Sequence, residues 1–100
     1  MPKQVVVIGA LDTKGEDFAF IKERIEERGF KAIVVDVGVM GEPPFKPDVD
    51  ADAVAKAGGE SLSSLRAKGD KGNAMVVMTR GAAEIAKKLY AEGRLDAIFG

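Results

Sequence analysis

The sequence predicts an α/β protein, an open parallel sheet with flanking helices in a Rossmann-like three-layer arrangement. Two short β-branched runs, "QVVVI" at residues 4–8 and "AIVVDV" at 32–37, lack the alternation of half-exposed strands and read as strands buried on both faces. Between them the apolar residues Phe18, Ile21 and Ile25 recur at helical spacing, and Gly29 supplies a helix stop. Strand, helix and strand in this order make a β-α-β unit, whose crossover is right-handed with few exceptions.

Taken in order, Gly9 ends the first strand and a helix is predicted over residues 16–28. After the second strand, "GVMGEPPFKPD" at 38–48 is a loop rich in Gly and Pro, because proline removes backbone donors and fixes φ. It reads either as a cover over a site or as a stiff connector. Asp50 can cap a short helix ending near Ala57, where Gly58 and Gly59 break it, and a weaker helix follows over 61–68. From 73 to 92 the positions Ala74, Val77, Met78, Gly81, Ala82, Ile85 and Leu89 form one apolar stripe, with Arg80, Glu84, Lys87 and Lys88 mostly outside it. Gly93 closes this helix, and "LDAIFG" begins a third buried strand. There is no internal repeat and no low-complexity segment. Three strands are few for such a sheet, so the domain is expected to be a truncated N-terminal lobe filling residues 1–100.

Composition narrows the chemistry. The chain has 100 residues, 46% hydrophobic and 31% charged, without an apolar run of membrane-spanning length or the apolar core of a signal peptide. A cytoplasmic location is expected, with no membrane partner. Cysteine and histidine are both absent, which excludes thiol nucleophiles, disulfides, imidazole bases and zinc sites of the usual kind. A metal can be held only by oxygen ligands, which suits magnesium carried in with a phosphate. The formal charge of −1 gives no broad attraction to nucleic acid, so an anionic ligand requires a local site.

In open α/β sheets that site lies outside the carboxyl ends of the strands. The first loop there, "GALDTKGE" at 9–16, is neither a Walker A loop nor a G-x-G-x-x-G fingerprint. Thr13 and Glu16 match a capping box, each satisfying a backbone donor of the first helical turn. Lys14 is the unexplained residue. A cation in the first turn opposes the helix dipole by about 0.3 to 1 kcal/mol, a cost reversed by a bound phosphate or partly offset by Glu16 and Asp17. Asp12 can orient a magnesium, a ribose hydroxyl or the loop backbone, and Asp36 ends the second strand either as a ribose-binding acid or as a turn residue. "GDKG" at 69–72 stands directly before the long helix. It offers Lys71 and backbone donors to an anion, or else a cap by Asp70 and a turn. Its likeness to the GXXG loop of KH domains is opposed by the acidic balance and the β-α-β start.

Four motifs in order, "GALDTK" at 9–14, "VVDVGVMGEPPFKPD" at 34–48, "GDKGNAM" at 69–75 and "LYAEGRLDAIFG" at 89–100, carry a resemblance across the whole chain. It resembles a poorly characterised ATP-binding-domain family typified by the N-terminal domain of the tomato tobamovirus-resistance protein. The resemblance implies a nucleotide-binding module in which Asp12, Thr13 and Lys14 take a phosphate or magnesium role and Gly38 approaches the ligand closely. It also implies a charge for the ligand at Lys71, where the family often has arginine, so bidentate phosphate geometry is lost. Ala10 stands where many relatives have threonine. Relatives continue past Gly100 into a glycine-rich "LGGSGGT" stretch and a second α/β lobe, so the resemblance implies half a site here and ATP between lobes. The antiviral role does not transfer. Two other expectations stand beside the nucleotide reading. One is a lobe of an enzyme acting on a small phosphorylated or carboxylated metabolite through Lys14 and Asp12. The other is a homo-oligomeric module associating through its sheet edge and the loop at 38–48.

Overall fold

The computed structural model describes residues 3–99. Its elements run β1 (Gln4–Gly9), α1 (Leu11–Glu27), β2 (Lys31–Asp36), α2 (Ala51–Ala57), α3 (Leu62–Lys68), α4 (Lys71–Ala91) and β3 (Ala97–Phe99). All strands are parallel in the order β2-β1-β3, with Val6 opposite Ile33 on one side and Ile98 on the other. The predicted open parallel α/β sheet is therefore present. Chain direction across the sheet reverses between β2 and β3, which makes the carboxyl end of β1 the topological switch point.

The period of two along β1 divides the core. Val7, with Val34 of β2, meets Leu11 and Phe18 of α1, and Ile21, Ile25 and Phe45 flank them. Val6, Ile33 and Val35 face the opposite way onto Val54 of α2, Leu65 of α3 and Val77 and Met78 of α4. Consecutive apolar residues in β1 and β2 are thus explained by helices on both faces.

The second layer is built from caps and close contacts. Asp50 accepts from the Ala53 N–H (2.8 Å), Ser61 from Ser64 (3.2 Å) and Asp70 from Asn73 (3.1 Å), so α2, α3 and α4 each start on a side-chain cap. The predicted stripe of α4 is buried at Ala74, Val77, Met78, Gly81, Ala82 and Leu89. Gly81 permits its closest contact, since a Cβ there would collide with the Val54 carbonyl of α2. The cap at Asp70 also moves the start of this helix from the predicted 73 to Lys71.

Two further expectations change. The run ending in β3 is not buried: Ala97, Ile98 and Phe99 are all exposed, because β3 forms the edge of the sheet and α1 packs on β1 and β2. The last residue of that predicted run, Gly100, lies outside the described residues. The capping box at Thr13 and Glu16 is also not made. α1 begins at Leu11 after Ala10, and the Thr13 hydroxyl lies 3.5 Å from the Ala10 carbonyl rather than on a backbone N–H.

Candidate functional site

The site is organised by two carboxylates that the chain uses on itself. Asp36 ends β2 and is almost fully buried. Its Oδ1 accepts from the Leu11 N–H (3.1 Å) and the Gly38 N–H (2.8 Å), tying the β1–α1 turn to the segment after β2. Burial pushes its pKa above the ordinary carboxylate value, the two backbone donors oppose that, and the negative charges of Asp12 and Asp50 add to it. Asp36 therefore acts as the turn-organising residue of the two readings open in the sequence. An anion is favourable at the first N–H groups of a helix, and here the protein supplies one at Leu11.

Asp12 makes the second tie. Its Oδ2 accepts from the consecutive N–H groups of Met40 (3.1 Å) and Gly41 (3.2 Å), so the loop after β2 is drawn over the first turn of α1. Gly38 is buried beneath this contact, and a Cβ on it would collide with the Asp12 carboxylate. Gly15 is equally constrained, because a Cβ there would strike the ring of Pro44. Close approach to Gly38 thus comes from Asp12 within the chain.

Between these contacts the helix breaks step. Helical dihedrals lapse at Lys14 (φ −128°, ψ 29°), where two helical segments meet beside the buried Gly15. Lys14 is exposed and forms no ion pair among the described residues, so neither Glu16 nor Asp17 neutralises it by contact. It lines a polar recess of about 380 Å³ with Asp12, Thr13, Glu16, Asp17, Glu42 and Pro44.

A second recess opens beside it, at the carboxyl end of β1. This cleft, about 520 Å³, is mostly apolar. Ile8 and Ala10 form its floor, Val37, Val39 and Met40 one wall, and Leu65, Met75, Met78 and Ala82 another. Thr79 and the Asp70–Lys71 turn supply its polar rim. Arg66 steadies the wall by donating from Nε to the Val39 carbonyl. The five sequence candidates are consequently divided. Asp12, Thr13 and Lys14 gather at the polar recess, Gly38 sits buried between loop and helix, and Lys71 stands at the apolar cleft. Among the described residues no group of three or more carboxylates is placed to hold a metal ion.

The residues not anticipated as a site are Met40, Met75 and Met78. Met78 carries a core signal and Met75 an exposed one in the helical pattern of α4, while Met40 lies in an irregular loop. Only the tertiary packing of α3, α4 and the loop brings the three around one cavity.

Comparison with known proteins places this arrangement in a family. Residues 3–100 match the model of the N-terminal domain of Uncharacterised protein family UPF0261. A UPF0261 protein of Clostridium tetani is 47% identical over 98 residues, covering 98% of this chain and 24% of the relative. A UPF0261 protein of Brucella suis is 32% identical over 95 residues, covering 95% of this chain and 23% of the relative. One of Rhizobium meliloti is 30% identical over 76 residues, covering 76% and 19% respectively. No solved structure matches. This chain spans about a quarter of the length of the first two of these relatives. The names of the family and its members mention neither ATP nor viral resistance. No helix among the described residues is long and apolar enough to cross a membrane. The chain belongs to the UPF0261 family and matches its N-terminal domain.

Proposed function

We propose that this chain is the nucleotide-binding lobe of a longer UPF0261 protein, with ATP, carried in with magnesium, as its ligand. The observation that carries the reading is the pair of adjoining recesses at the carboxyl end of β1. The apolar one includes Ala10 and Met40, and the polar one includes Leu11 and Asp12, so the two border each other along the chain and across the Asp12–Met40 contact. An apolar slot beside a recess whose exposed lysine makes no ion pair among the described residues suits a molecule with one planar, weakly polar end and one phosphate end, the magnesium offsetting the carboxylates of Asp12, Glu16, Asp17 and Glu42 that share the recess. In this reading the base enters among Met40, Met75 and Met78, and the phosphates extend toward Lys14 and the start of the helical segment that follows it.

The assignments of individual residues shift accordingly. Lys14 contacts phosphate, Lys71 contributes positive charge at the rim of the apolar slot, and Thr13 offers a hydroxyl to the polar recess. Asp12 and Gly38 act as positioning residues, because the carboxylate of one holds the loop that the bare backbone of the other admits. The resemblance to ATP-binding domains and the position at the switch point support the same reading.

The test is a thermal-shift comparison of magnesium-ATP with AMP and a sugar phosphate, in a protein joining this segment to the remainder of the Clostridium tetani relative. A ligand at a hundredfold excess over its dissociation constant adds about 2.7 kcal/mol to apparent stability. A shift specific to ATP and lost in Lys14→Ala is expected. Equal shifts with all three ligands point instead to a phosphorylated metabolite, and no shift with any overturns the reading.

A further inference from the structure

The edge of the sheet at β3 has no neighbour among the described residues. The Asp96 N–H donates to the Gln4 carbonyl (2.9 Å). The Lys3 and Gly9 carbonyls accept from Lys31 and Val37, so residues 4, 6 and 8 of β1 face β3; with Val5 opposite Ala97 and Val7 opposite Phe99, the N–H groups of Ala97 and Phe99 turn toward β1 and that of Ile98 turns outward. Ile98 and Phe99 remain 55% and 47% exposed. Parallel strands belong almost entirely to sheets covered on both faces, and an unpaired apolar edge is a template for another strand.

α4 carries a matching surface. Met75, Val76, Thr79, Ala83, Ala86 and Tyr90 fall within an arc of about 100° at 3.6 residues per turn. The arc contains no charge, and Val76 and Tyr90 are 54% and 72% exposed. The flank that meets α2 is a different one: it carries Gly81 against Val54 and Arg80, whose Nη1 donates to the Gly58 carbonyl (3.4 Å). Since α2 also packs on β2, the uncharged arc turns the other way, toward the open β3 side. A right-handed crossover leaving β3 in the same direction as the one from β2 to β3 brings its helix onto the same face, beside α4. The Clostridium tetani and Brucella suis relatives, of whose length the match covers 24% and 23%, hold ample chain for such a unit.

We propose that in full-length UPF0261 proteins a further parallel strand from the rest of the chain pairs with β3, and that the helix preceding it packs on the Val76–Tyr90 arc of α4. The partner is a strand-and-helix unit of the same polypeptide, presenting apolar and small residues to Ala83 and Ala86. This assignment does not depend on which ligand occupies the recesses, and the helix packs on the Val76–Tyr90 side of the arc, leaving Met75 and Thr79 to the apolar cleft.

The test is hydrogen exchange at single amides in the protein joining this segment to the remainder of the Clostridium tetani relative. Ala97 and Phe99, bonded to β1, report folding of the strand. The Ile98 amide, which faces away from β1, is expected to exchange at least about 100-fold more slowly than in an unstructured peptide. Exchange within about tenfold of the unstructured rate at Ile98, with Ala97 and Phe99 protected, overturns the proposal. Protection that grows with protein concentration also overturns it, by assigning the edge to a second copy. A second arm compares Ala83→Arg, on the arc, with Glu84→Arg, on the charged face. The first is expected to lower the melting midpoint by about 3 °C more than the second, and equal shifts overturn the packing of a helix there.

Discussion

The two edges of the sheet are finished differently. At β2 two outward donors are used: the Val34 N–H reaches Asp48 Oδ2 (2.7 Å) and the Asp36 N–H reaches the Val49 carbonyl (2.9 Å), while Val49 forms a parallel bridge with Val35. A loop that follows β2 thus seals that edge locally, and α2 covers the adjoining face. At β3 the described residues provide no such closure, and the strand stands exposed. The difference teaches that this segment is complete around β1 and β2, where the clasp of Asp36 and Asp12 also lies. It is open on the side where the apolar cleft and the bare arc of α4 occur.

The largest effect that can break this comparison is a core truncation on each side. Ile33→Ala, in the closed half, is expected to cost about 2 to 5 kcal/mol by chemical denaturation, as a buried side chain leaves a cavity. Ile98→Ala, at the open edge, is expected to cost under about 1 kcal/mol in the same segment, because half of its surface is already in water. Equal costs would remove the distinction.

The clasp comes next. Asp36→Ala leaves two buried N–H groups without acceptors, for a loss of about 2 kcal/mol or more, whereas Asp36→Asn retains an acceptor oxygen and is expected to be much milder. The pH dependence separates charge from geometry. Because the folded-state pKa of Asp36 lies above its ordinary value of 3.8, the folded state holds the proton more tightly than the unfolded chain. Its stabilising contribution is full below that ordinary value and is lost as pH rises through the raised pKa. Asp36→Asn is therefore expected to remove a decline in stability on the alkaline side of pH 3.8, read from denaturation midpoints across the acid range.

A smaller effect tests the joint between α2 and α4. Alanine is favoured over glycine within a helix by about 1 kcal/mol, yet Gly81→Ala is expected to destabilise by about 1 to 3 kcal/mol, since the new methyl meets the Val54 backbone. The smallest effect concerns the helix start. Thr13→Ala is expected to change stability by under about 0.5 kcal/mol, against about 1 kcal/mol for Asp50→Ala, which removes a cap that the structure contains.

These contrasts mark how far the sequence could be read. Hydrophobic runs and periods fix β1, β2 and α4 because they depend on which faces are buried, and the caps at Asp50 and Asp70 follow from local chemistry. The start of α1 does not, since the lapse at Lys14 accompanies the contact of Gly15 with Pro44, a residue far along the chain. Asp36 looks alike as a ligand-binding acid and as a clasp until Leu11 and Gly38 are seen to donate to it. The exposure of β3 was likewise hidden, because an apolar edge strand awaiting a neighbour has the composition of a buried one. Lys14 and Lys71 were legible as cations near helix starts, but their separation into two recesses was not.

The most direct test of the nucleotide reading is a methionine-methyl NMR titration with magnesium-ATP, performed on the protein joining this segment to the remainder of the Clostridium tetani relative. Of the four methionines in the sequence, Met40, Met75 and Met78 line the apolar cleft, and Met→Leu replacements assign their signals. The account predicts that these three methyls shift together and saturate with one dissociation constant, which weakens in Lys14→Ala. Methyls that stay in place while ATP binds elsewhere, or that never respond, would contradict it.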